Sequence, residues 1–205
     1  MRKFSLKPVL FMVVLTFVYT SVLAGINAAT TERIQLNEHL VEQKAFLYVL
    51  NMLPENHDPD LINELYRRHI RELNRNGRVL YEGLDSAGER VAYIVPFHGK
   101  ALWGELTGVA AFTPDFSTIL GIDFIKHAET PGLGGRIDEL SFKEQFRGIQ
   151  INPEAEGDFL VYRPRPGGQV DAIAGATGTS NAVLRILNDT LAALLFDTGE
   201  ALLHE

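Results

Sequence analysis

An apolar run opens the chain. From residue 8 to residue 29 nothing is charged, and about 20 apolar residues are enough to cross a bilayer as a helix. Beyond it, Ile34, Leu36, Leu40, Val41, Ala45, Leu47, Leu50 and Leu53 recur at helical spacing until Pro54. Asp58-Pro59-Asp60 has the form of a helix start, with Asp as cap and Pro in the first position. The pattern LINELYRRHIREL then predicts a second helix that breaks at 74–77. Its Arg67-Arg68-His69 cluster, with Arg71, reads as a solvated helix face.

Short β signals follow. Residues 78–81 and 89–97 flank the turn at 85–88, and residues 108–113 and 118–126 flank a second turn at 114–117, so each set predicts a hairpin. Residues 158–162 predict a fifth strand before the loop RPRPGGQ, and a helix is expected from about Ser180 to Phe196. Helices at both ends of a block of antiparallel strands define an α+β class. The expected organisation is an N-terminal transmembrane segment over residues 1–30, a juxtamembrane helical segment over 31–75, and a folded domain over 76–205.

Charge narrows the function. Of 19 basic residues, Arg2, Lys3 and Lys7 precede the apolar run, which leaves 16 against 26 acidic residues in the rest. No nucleic-acid partner is expected of so acidic a body, because phosphates call for basic patches. The chain contains no cysteine, so disulfides, thiolate zinc sites, cysteine-held iron–sulfur clusters and c-type haem attachment are excluded in it. The basic start places the amino terminus in the cytoplasm and everything after residue 30 outside. A cleaved signal peptide ending near Val22-Leu23-Ala24 is the competing reading, and it exports the body to the same side.

Candidate chemistry concentrates at Asp171-Ala-Ile-Ala-Gly175-Ala176-Thr177-Gly-Thr179-Ser180-Asn181, a small-residue loop opening onto an apolar helix. Thr179, Ser180 or Asn181 can cap that helix. Free N–H groups and the helix dipole favour a phosphate there. The segment lacks the Lys of a Walker loop and the G-x-G-x-x-G spacing of a dinucleotide fold, so NADH is not expected to bind this chain. Two side chains two apart on a strand, His127 and Glu129, share a face, but spacing supplies no third ligand and no metal site is expected.

Asp171-x-x-x-Gly175-Ala176-Thr177 resembles the flavinylation motif of the FMN-binding domains found in the C subunit of Na⁺-translocating NADH:quinone reductase and the G subunit of Rnf complexes. The resemblance implies covalent FMN, joined by a phosphoester to Thr177, with Thr179 as the alternative acceptor. Ala174 stands where the family usually has Ser or Thr. His127-Ala-Glu129-Thr130-Pro131-Gly132-Leu133-Gly134 is similar to the family's segment that packs on the flavin ring, which makes Thr130 and Leu133 the implied contacts. Gly99-Lys100-Ala101-Leu102-Trp103-Gly104 is similar to a third family segment, which makes Leu102 and Trp103 implied walls of the flavin, although Trp103 also suits a core anchor.

What the resemblance implies is an electron-transfer subunit of a membrane ion-translocating oxidoreductase, held in the inner membrane through residues 8–29 with its body on the periplasmic side. Other subunits of the complex and, during maturation, a flavin transferase would be its partners. A stand-alone extracytoplasmic flavin carrier and an anchored scaffold without flavin remain as alternatives.

Overall fold

The computed structural model describes residues 6–75, 77–152 and 158–198. Two compact units are present, Met1–Leu40 and Val41–Glu205. Helix α1 (Lys7–Val49) fills the described part of the first unit, where its apolar side chains from Val9 to Ile26 are exposed. By length and composition this helix can cross a membrane.

The second unit is built on a five-stranded antiparallel meander in the order β1-β2-β3-β4-β5. The strands are β1 (Ile70–Arg75), β2 (Arg78–Leu84), β3 (Arg90–Lys100), β4 (Glu105–Phe112) and β5 (Ile119–Lys126). Both hairpins expected from the pattern are present. In the β2–β3 turn, Asp85 Oδ1 accepts from the N–H groups of Ala87 and Glu89, and Gly88 takes the positive φ that the turn needs.

Side-chain alternation then assigns two buried faces. Tyr93, Val95 and Phe97 of β3, with Leu106, Ala110 and Phe112 of β4, pack towards helix α4 (Thr177–Thr198) through Val183, Leu187 and Leu191. Ile94, Val109 and Ala111 point the other way, into a smaller core with Ala45, Phe46 and Val49 from the end of α1. Phe46 meets Tyr66 and Tyr81 edge-on at 5.6 and 4.7 Å between ring centres. Burying each Phe or Ile here stabilises the fold by about 1.5–3 kcal/mol.

Three expectations are corrected. Helix α2 (Pro59–His69) stops at His69, because Ile70 is extended and Ile70–Arg75 pairs with β2 as the first strand. The dipeptide Asn76-Gly77, expected to be a helix break, is a hairpin signal, and Gly77 has φ +81°. The supposed solvated cluster is divided accordingly: His69 is buried with Nδ1 2.8 Å from the Leu84 carbonyl, and Arg71 lies on β1 within 3.7 Å of Glu82. Residues 158–162 form no strand beyond a bridge from Tyr162 to Val170. Side-chain amides replace a strand neighbour there, with Asn188 bonded to both the N–H and the carbonyl of Leu160, and Gln169 to Val161 N and Phe159 O. The third correction is to α4, which starts at Thr177, three residues earlier than its apolar pattern suggests.

A polar cluster holds the carboxyl end of α1. Arg147 donates to the carbonyls of Tyr48, Val49 and Leu120, while its Nε bonds Glu144 at 3.0 Å. Tyr48 donates to Glu144, and the Lys143 ammonium lies 4.2 Å from the centre of the Tyr48 ring. A cation on the last carbonyls of a helix offsets both their lost hydrogen bonds and the helix dipole.

Arg147→Met should therefore cost about 2–3 kcal/mol in urea unfolding, since three carbonyls lose a charged donor at once. The hydrogen bond from Arg147, and then that from Tyr48, hold the Glu144 carboxyl below its ordinary range. A depressed pKa gives stability that is present above the unfolded value and lost as pH falls through the folded one. The thermal midpoint should thus decline on acidification below about pH 5, less steeply in Glu144→Gln than in the wild type.

Candidate functional site

Three segments distant in sequence meet at one end of the sheet. Residues 101–104 form the β3–β4 turn, closed by Ala101 N donating to Gly104 O at 2.8 Å. Residues 127–135 leave β5, whose last residue Lys126 pairs with Thr107 near the start of β4. The first turn of α4 is the third, and Leu102 reaches it: a Cβ on Gly178 would lie 3.3 Å from Leu102 Cδ1.

Glu129 joins all three. Its side chain is buried, and Oε1 accepts from the N–H groups of Leu102 and Trp103, each at 3.0 Å. Oε2 accepts from the hydroxyl of Thr179, also buried. Such charge-assisted hydrogen bonds contribute about 1.5–3 kcal/mol each. Gly134 makes the approach possible, because a Cβ there would lie 2.7 Å from Glu129 Oε2 and would collide with Thr179 Oγ1. The carboxylate is thus committed to protein donors, and Thr179 faces inward.

The loop ahead of α4 is closed on itself. Ala176 N donates to Ile173 O, Ser180 N to Ala176 O, and Ser180 Oγ both accepts from Ile173 N and donates to Ala176 O, all at 3.0 Å. Ser180 therefore lies inside the first turn and is not its cap. Burial pushes the Tyr162 phenol well above its usual range, so it stays protonated and donates to Ser180 O at 2.9 Å. Gly175 turns the chain with φ +80°, a conformation that side chains disfavour. Thr177 emerges exposed at the helix start, where first-turn N–H groups lack carbonyls within the helix.

Exposed apolar side chains lie beside the loop and first turn that carry Thr177. Leu102 is 58% exposed, Trp103 67% and Leu133 48%, and Leu133 Cδ2 lies 3.8 Å from where a Cβ on Gly175 would sit. Trp103 is accordingly no core anchor. Thr130 contributes its carbonyl, which accepts from Leu133 N and Gly135 N, and its side chain is exposed.

Asp171 stands apart from this cluster. It pairs with Arg163 at 2.6 Å, and its N–H donates to Gln145. His127 bonds Asp138 at 2.9 Å, and Glu129 is directed at the turn amides. Among the described residues no group of three or more His, Asp or Glu could hold a metal.

Two residues that matter here carry no sequence signal of their role. Gly134 reads only as part of a motif, and what it does depends on Thr179, far along the chain. Arg185, whose guanidinium donates to Lys100 O at 2.5 Å beside the 101–104 turn, gives no local sign of that contact.

This arrangement is compatible with a flavin phosphate and ring: an exposed threonine at a helix start, with the exposed Leu102 and Leu133 beside its first turn and the loop before it. Residues 101–192 match the family model described as FMN-binding domain. Over 111 residues the chain is 40% identical to the G subunit of the ion-translocating oxidoreductase complex of Methanosarcina acetivorans, covering 54% of this chain and 55% of that one. It is 35% identical over 104 residues to the C subunit of the Na⁺-translocating NADH-quinone reductase of Pasteurella multocida, covering 48% and 40%. Thus the chain spans about half, or less, of the length of these relatives. A crystal structure of the corresponding C subunit from Parabacteroides distasonis has the same fold, with TM-score 0.67 and 27% identity over 78% of this chain and 92% of that one.

Gly134→Ala should separate Glu129 from Thr179 and cost about 1–3 kcal/mol in chemical unfolding. An unchanged midpoint would show that the three segments are not in contact as described.

Proposed function

We propose that the chain is an electron-transfer subunit that carries FMN as a phosphoester on Thr177, within a membrane ion-translocating oxidoreductase of the NADH:quinone reductase or Rnf type. One observation carries this reading. Of the two candidate hydroxyls, that of Thr177 is exposed at the start of α4, whereas that of Thr179 is buried and donates to Glu129. A phosphate at Thr177 meets the positive end of the helix dipole and the unpaired first-turn N–H groups. Leu102, Trp103 and Leu133 would shield the ring from water, and Thr130 offers a hydroxyl to its polar edge.

Bound FMN supplies chemistry no side chain here has, exchanging electrons singly or in pairs. The protein's part is placement. Attachment in this reading belongs to a separate flavin transferase: the threonine oxygen displaces AMP from FAD in the presence of Mg²⁺ and keeps the FMN phosphate. Outside the cytoplasm a covalent tether holds the cofactor at a fixed local concentration, where a dissociated one would be diluted. In this reading residues 8–29 of α1 are the membrane anchor, with Arg2, Lys3 and Lys7 on the cytoplasmic side and the body after residue 30 on the periplasmic side. The FMN-binding domain, expected over 76–205, takes in β1 as well, and NADH binds elsewhere in the complex.

Co-expression with a flavin transferase should give a fluorescent band near 22.8 kDa on a denaturing gel. Thr177→Ala should abolish it and Thr177→Ser should retain it, with tandem mass spectrometry locating the flavin on residue 177. Flavin on Thr179 in Thr177→Ala, or none on the wild type, would overturn the assignment. Without the transferase the protein should be colourless.

A further inference from the structure

The Leu102–Trp103 turn contains large apolar side chains at the surface, yet its backbone is pinned from below by a buried carboxylate. Exposed hairpin turns ordinarily satisfy their N–H groups with water or with their own carbonyls. Here two successive N–H groups point inward at one oxygen of Glu129, and the second oxygen is used by Thr179 on the helix that begins with Thr177. Arg185 of the same helix holds the preceding carbonyl, Lys100 O. The turn is thereby referenced to α4 from both sides.

We propose that Glu129 is a positioning residue: it touches no flavin, and its carboxylate fixes the Leu102–Trp103 turn at a set distance from Thr177, so that the indole meets the ring without first having to be ordered. This rests on the flavin reading above for its purpose. Ordering a loop on binding costs about 1–2 kcal/mol per residue in backbone entropy, and a turn already ordered avoids it. Glutamine at this position retains most of the geometry, since its carbonyl oxygen can accept from both N–H groups while its amide donates to Thr179 Oγ1. Alanine retains none.

The test needs wild type, Glu129→Ala and Glu129→Gln. In flavin-free protein, amide hydrogen exchange at Leu102 and Trp103 should quicken roughly tenfold to a hundredfold in Glu129→Ala, the equivalent of one charge-assisted hydrogen bond. In Glu129→Gln it should stay close to the wild-type rate. The chain has one tryptophan, so emission on indole excitation reports Trp103 alone. In flavin-loaded protein, compared at equal flavin content, that emission should be quenched in wild type and Glu129→Gln and should recover in Glu129→Ala.

Unchanged exchange at both amides in Glu129→Ala, or equal quenching in all three proteins, would overturn the proposal. Should Glu129→Ala fail to fold, Glu129→Asp, one methylene too short, must show the same loss of amide protection for the proposal to stand. Altered exchange together with a wild type that never accepts flavin would uphold the pinned turn and discard the FMN reading instead.

Discussion

Everything at the candidate site of this protein turns on one buried carboxylate. Glu129 sits where a hairpin turn, a loop leaving an edge strand and the first turn of a helix converge, and it accepts from a donor on two of them while belonging to the third. An isolated carboxylate in that position would be costly to bury. Surrounded by three donors it becomes the reason the segments share a geometry. The requirement spreads outward: position 134 must lack a Cβ, position 179 must present a hydroxyl inward, and the hydroxyl left for other use is two residues earlier, at Thr177.

A second polar knot, around Arg147, does comparable service at the carboxyl end of α1. Between the two knots lies the sheet, covered on one face by α4 and on the other by the last turns of α1. Every buried side-chain nitrogen and oxygen among the described residues has a partner. The site therefore has no unsatisfied buried group with which to grip a ligand. What it offers is an open hydroxyl, first-turn N–H groups and apolar surface, a set suited to holding a cofactor by a bond and resting its ring against side chains.

Much of this was legible in the chain. The apolar run, both hairpins and the terminal helix follow from periodicity and turn chemistry, which are local properties. The first strand was not, because RHIREL keeps a helical rhythm and only pairing with β2 makes Ile70–Arg75 extended; the Asn-Gly after it was the available signal. The absence of a strand at 158–162 was equally hidden, since amides of Gln169 and Asn188 stand in for a neighbouring backbone. At the site, the motifs pointed to three segments that the fold does bring together, and the resemblance put Thr177 ahead of Thr179 without a physical reason. That distinction is one of direction, outward or inward, and is fixed by Glu129, 50 residues before Thr179 in the chain.

The exposure of Thr177 has a consequence for how the protein matures. The loop before it and the turn after it are closed by their own hydrogen bonds, so the hydroxyl stands clear of a finished fold. If Thr177 carries the flavin as proposed, a modifying enzyme could thus work on the native molecule, with no need to catch a nascent chain. On that proposal folding and loading become separate events in time, and the fold itself can be inspected before the pigment is committed to it.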